Sequence, residues 1–77
     1  ATDAYLISGK VEIDFINEKY DLNILQGDYE TIAGYVTTKL GRIPEQGEIV
    51  VLDNFTILIA RSSKIRIDLV KLTVNNE

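Results

Sequence analysis

Carboxylates are the side chains of this sequence best equipped for chemistry. Asp21, Asp28 and Glu30 form its densest acidic region, and Asp53 stands further along. Carboxylate oxygens are what Ca²⁺ or Mg²⁺ takes as ligands, so these four are the candidate metal-binding residues. Their spacing does not match an EF-hand loop, and each also has a structural use. Asp28 suits the N-cap of a following helix, Glu30 complements that helix's dipole, and Asp53 suits a tight turn. Paired carboxylates also serve general acid–base catalysis, but nothing in this spacing argues for it. Arg61, Lys64 and Arg66 could make a small basic spot for a phosphate or a lipid headgroup, or act as solvated turn charges.

The rest of the composition narrows the chemistry. The 77 residues contain no Cys, His, Met or Trp, which excludes disulfides, thiolate or imidazole metal sites, and Ser-His or Cys-His nucleophilic pairs. The five glycines are widely separated and form no GxGxxG or Walker loop for a phosphate. Twelve acidic against eight basic residues give a net charge of −4. The basic residues are scattered from Lys10 to Lys71, so no footprint for a nucleic-acid backbone is expected. Apolar runs such as Ile57–Ala60 reach only four residues, far short of a membrane span. A chain that begins with Ala1 and lacks Met reads as one domain cut from something longer.

Periodicity indicates what positions these groups. Tyr5–Ser8 reads as a strand closed by a Gly9-Lys10 turn, and Ile13, Ile16 and Tyr20 define a short helix with Asp14 in its first turn. Phe15 lies off that apolar face, and Leu22–Gly27 reads as a loop that tucks in an apolar residue. A second amphipathic helix begins at Tyr29, with Ile32, Ala33, Val36 and Leu40 on its stripe, Asp28 as N-cap and Gly41 just past its end. Gly34 inside it implies close approach of another backbone. After the turn Pro44–Gly47, three antiparallel strands are expected at 48–52, 55–60 and 65–74. An Asp53-Asn54 hairpin and a polar link at 61–64 join them, and a bulge near Asp68-Leu69-Val70 reconciles the changing parity of the last. The fold class is therefore α+β: a small antiparallel sheet with two helices packed on it, in the order strand-helix-helix-strand-strand-strand. Exposed Phe15, or an outer sheet face carrying Leu58, could form a contact surface.

The segment from Gly27 to Gly47 carries Asp28, Thr31, Gly34, Gly41, Arg42, Pro44 and Gly47, preceded by Tyr5-Leu6-Ile7-Ser8-Gly9 and followed by Arg66-Ile67 with Val70. In order and spacing these residues resemble the signature of the CorC/HlyC transporter-associated domain over nearly the whole chain. Phe15 departs from the polar residue expected there. The resemblance implies a fold grouped with part of certain FAD-binding domains, and a place as the C-terminal cytosolic domain of a bacterial membrane protein. There it would follow a transmembrane region and a pair of CBS domains.

Such parents are associated with magnesium and cobalt efflux or named hemolysins. The implied role is a non-catalytic regulatory or interaction domain, whose partners are the CBS and transmembrane domains of the parent, with a homodimer left open. The alternatives are a divalent-cation sensor using Asp21, Asp28, Glu30 or Asp53, and a module for an adenine nucleotide or flavin such as FAD.

Overall fold

The computed structural model describes residues 3–75. Strand β1 (Ala4–Ser8) leads through a turn into helix α1 (Ile13–Tyr20), and a loop connects this to helix α2 (Ile32–Leu40). Strands β2 (Ile49–Leu52), β3 (Phe55–Ser62) and β4 (Ile67–Val74) follow, giving the expected order and α+β class.

All four strands form one antiparallel sheet in the order β1-β4-β3-β2. The last strand thus inserts between the first and third, and the two longest strands occupy the centre. Side chains alternate faces along each strand. One row across the sheet, Tyr5–Leu72–Ile57–Val50, points inward, and Ile7, Val70 and Ile59 make the next inward row. Both helices cover this face: Ile13, Ile16, Ile32, Tyr35 and Val36 join the sheet residues in one buried core.

The helix starts are tied to each other. Glu12, the residue before α1, makes no side-chain cap bond. Instead the Ile13 N–H donates to the Glu30 carbonyl at 2.8 Å, and the Ile32 N–H donates to that of Val11 at 3.0 Å. This short bridge satisfies backbone donors that a helix N-terminus otherwise leaves open. It also corrects the expected start of the second helix. That helix begins at Ile32 and not Tyr29, and Thr31, not Asp28, is its N-cap, accepting the Gly34 N–H on Oγ1 at 3.1 Å. The bridge with Glu12 holds Thr31 extended, so the segment before it cannot be helical.

The expected loop after α1 buries Ile24, and Asn17 explains how. Its side-chain amide donates to the Ile24 carbonyl at 3.0 Å and accepts the Ile24 N–H at 2.9 Å, replacing a missing strand partner. Gly34 does sit in a close contact, though with a side chain more than with a backbone: an added Cβ would lie 3.1 Å from Cβ of Tyr29. The backbone contact belongs to Gly9, where a Cβ would overlap the Ile67 carbonyl oxygen.

The irregularity in the central pair lies where the parity argument put it. Ile59 faces Val70, Arg61 faces Leu69 and Ser62 faces Ile67, so Ala60 and then Asp68 fall outside the one-to-one register. The double shift lets both Ile67 and Val70 turn inward. It also carries β3 to Ser62, so the link to β4 is 63–66, and Ile65 is 78% exposed in that link instead of beginning the strand.

Candidate functional site

The acidic candidates are dispersed. Asp21 sits at the C-terminus of α1 with φ 55° and donates its backbone N–H to the Asn17 carbonyl. Asp28 and Glu30 are exposed in the loop before α2, and Asp53 is the hairpin residue with φ 53°. Among the described residues, no three Asp or Glu side chains converge as a metal centre requires.

Asp53 is occupied by protein groups. Its Oδ2 accepts the Tyr35 hydroxyl at 2.5 Å and lies 3.9 Å from Nζ of Lys39, so α2 grips the β2–β3 hairpin tip. Burial, reinforced by this carboxylate, pushes the Tyr35 hydroxyl well above the ordinary tyrosine range. The basic spot is likewise partly spent, because Arg66 Nε pairs with Asp68 at 3.1 Å.

A flavin or adenine nucleotide needs free backbone N–H groups around its phosphates. Four of the five glycine amides are engaged: Gly9 donates to the Asp68 carbonyl, Gly41 to Thr37, Gly47 to Ile59, and Gly34 to the Thr31 hydroxyl, while Gly27 stands alone in the loop before α2. The glycines of this chain therefore do not fit a pyrophosphate cradle.

The signature residues from Arg42 to Gly47 build the corner between α2 and the sheet. Gly41 closes α2 with φ 76°. The Arg42 guanidinium then grips Glu48 with both terminal nitrogens, and Glu48 also accepts the Glu45 N–H at 3.1 Å. Hydrogen bonding to Arg42 and to this backbone N–H holds the Glu48 carboxyl down at about 2. Pro44 is buried and its carbonyl accepts the Ser62 hydroxyl at 3.0 Å. Gly47, with φ 90°, donates to the Ile59 carbonyl at 2.7 Å, while the Ile59 N–H returns to Glu48 at 2.8 Å.

Among the described residues, two exposed apolar surfaces offer themselves for contact. On α1, Phe15 is 56% exposed, with Nζ of Lys19 5.5 Å from its ring centre and 5.7 Å from that of Tyr20, which packs on Tyr5 at 4.2 Å. The larger surface is the outer face of the sheet. Leu6 pairs with Lys71, Lys71 with Leu58, and Leu58 with Ile49, so one outward row crosses all four strands. Val51 stands beside it in the next row, opposite Thr56. Leu6, Ile49 and Val51 are each about two-thirds exposed. Sequence reasoning picked out Leu58 from this face. The hint for the others was Ile49-Val50-Val51-Leu52, apolar at both parities, but only the long-range register joins them to Leu6 and Lys71.

Comparison with known proteins agrees with this architecture. Residues 1–76 match the CorC_HlyC family, described as a transporter associated domain. A UPF0053 protein of Synechocystis is 36% identical over 76 residues, covering 94% of this chain and 16% of the relative. The chain thus spans about a sixth of the length of the curated relatives it matches. A CorC_HlyC domain from a Xylella fastidiosa hemolysin, solved in complex with Mg²⁺ and Mn²⁺, is 30% identical with a TM-score of 0.76, covering 95% of this chain and 89% of that one. A Neisseria meningitidis domain, whose name links it to a Mg²⁺ and Co²⁺ transporter (CorC), is 26% identical with a TM-score of 0.83, over 94% and 89%. The match runs through the very residues that cap α2 and build its corner with the sheet, and the chain belongs to the CorC_HlyC transporter associated domain family.

Proposed function

We propose that this domain is a non-catalytic regulatory or interaction module of a CorC/HlyC-type membrane protein, modulating Mg²⁺ or Co²⁺ efflux through contacts with the parent's CBS and transmembrane domains on the cytosolic side. The observation that carries this reading is the family match across residues 1–76, with the signature residues Gly9, Thr31, Gly34, Gly41, Arg42, Pro44 and Gly47 engaged in holding the fold together. A signature built of caps, corners and close contacts preserves a shape, and a shape serves binding. The test is cation efflux from cells carrying the natural gene or the same gene without this domain. Efflux whose dependence on internal Mg²⁺ changes supports the reading. Efflux and cobalt tolerance identical in both strains would sink it.

The Xylella structure with Mg²⁺ and Mn²⁺ favours a second reading, a weak divalent-cation sensor. Asp21, Asp28, Glu30 and Asp53 are its candidate ligands, Asp28 and Glu30 being the exposed pair nearest each other in sequence. Titrating the domain with millimolar MgCl₂ or MnCl₂ and following backbone amide resonances tests it. Unmoved amides at these four positions dispose of the sensor.

A further inference from the structure

We propose that the outer face of the sheet is a docking surface for another segment of the polypeptide that carries this domain, and that this segment presents a carboxylate to Lys71 within an apolar surround. The inference rests on the modular reading above and names the face and the chemistry of its partner.

The face is defined by register. Leu6, Lys71, Leu58 and Ile49 stand side by side on four neighbouring strands, a row of about 14 Å at the usual strand spacing. Both helices lie on the opposite face, where Leu72, Ile57 and Val50 are buried in the core and Tyr5 packs against it. A sheet with one solvated face ordinarily alternates apolar-in with polar-out. In this row Lys71 is the one charge among leucine and isoleucine, and Val51 extends the apolar surface along the edge.

Lys71 selects the occupant. It is exposed between Leu6 and Leu58, and among the described residues no carboxylate lies within ion-pair distance of it. A second copy packed about a two-fold axis along this row would bring the two Lys71 ammonium groups together, a like-charge contact that costs stability, and an axis crossing the row between Lys71 and Leu58 would bury each ammonium against an apolar side chain with no carboxylate to meet it. An anionic lipid surface would meet a chain of net charge −4 whose outer face offers only Lys71 and, opposite Leu69, the exposed Arg61, too little to overcome repulsion. A protein surface with apolar side chains around one Asp or Glu satisfies both the row and its cation. The remainder of the parent is a ready source, since this chain spans only 16% of its Synechocystis relative. A tethered segment docks at high effective concentration, so a patch of this size suffices.

The experiment uses the protein as its gene encodes it, purified as a mixture of ¹⁴N and ¹⁵N copies and treated with a zero-length carbodiimide, which couples an amine only to a carboxylate held against it. The expected result is an amide between Lys71 and an Asp or Glu outside this domain within one copy. Its yield should fall by about tenfold in the Leu6→Ser/Ile49→Ser double variant, whose exposed substitutions leave the fold intact. Circular dichroism verifies that fold. Three results overturn the proposal: a Lys71 link joining ¹⁴N to ¹⁵N copies, which would make the face a homodimer contact; no link together with Lys71-dependent sedimentation on phosphatidylglycerol vesicles; or no link with Lys71 as reactive toward an amine reagent as Lys10. If the purified polypeptide carries nothing beyond this domain, the modular reading itself falls. If it is longer and Lys71 stays unlinked, only the docking claim falls.

Discussion

The Tyr35 hydroxyl donates to Oδ2 of Asp53 at 2.5 Å, fastening a core residue of α2 to the tip of the β2–β3 hairpin. Tyr35 is buried among apolar side chains, so its one polar atom needs this partner. Asp53 in turn adopts a positive φ that the two-residue turn demands. Tyr35→Phe should lower stability by about 1 kcal/mol, the usual net worth of such a bond, in urea denaturation at neutral pH.

The same contact predicts an alkaline limit. Because the Tyr35 hydroxyl is raised above its ordinary value of 10.0, its contribution is complete below pH 10 and declines as pH rises beyond it, where only the unfolded chain ionises readily. Urea midpoints measured from pH 9 upward should fall more steeply in the natural protein than in Tyr35→Phe. Equal slopes would show that Tyr35 keeps an ordinary hydroxyl.

At the acid end the corresponding pair is Arg42 and Glu48. The Glu48 carboxyl, held at about 2, stabilises the fold fully above the ordinary carboxylate range, and that contribution is lost as pH falls from there through 2. Arg42→Ala should therefore be less stable than the natural protein at pH 6, with the difference closing toward pH 2. The pair is solvent-exposed, so the gap is small and shrinks in high salt.

Thr31 and Asp28 separate two accounts of the α2 start. Thr31→Ala removes the observed cap and should cost about 1 kcal/mol. Asp28→Ala should leave the denaturation midpoint nearly unchanged. The opposite ranking would restore Asp28 as the cap.

Gly9 and Gly41 should respond to alanine in different ways. At Gly41 a Cβ meets open space, and the penalty is the left-handed backbone alone, about 1–2 kcal/mol. At Gly9 the Cβ would collide with the Ile67 carbonyl beside two bonds, Gly9 N–H to Asp68 and Ala33 N–H to Gly9. Gly9→Ala should therefore cost more than Gly41→Ala, about 3 kcal/mol or above, and both are read from the same urea series.

Local signals made much of this legible. The 13-16-20 spacing of α1, the Asp53-Asn54 hairpin, the Gly41 cap and the parity switch beside Asp68 are each set by neighbours in sequence, and each appears in the structure. What escaped depends on distant partners. Asp28 precedes the apolar stripe as a cap should, but the bridge between Glu12 and Thr31, which moves the helix start, joins segments far apart in the chain. Asn17 is an ordinary polar residue until the loop returns to its amide. Gly9 reads as a turn residue, and only the β1–β4 pairing shows the carbonyl it makes room for. Asp21, Asp28 and Glu30 lie near one another in sequence, but among the described residues they and Asp53 assemble no metal-holding cluster.

The placement of β1 against β4 has a mechanical consequence. Ala4 faces Thr73, and the Val74 N–H donates to the Asp3 carbonyl, so the chain enters and leaves the sheet side by side. Tension between these two points would open the ladder rung by rung, as a zipper parts, instead of shearing many hydrogen bonds at once. The module would thus yield first at β1, the strand that carries Leu6, before its helices loosened.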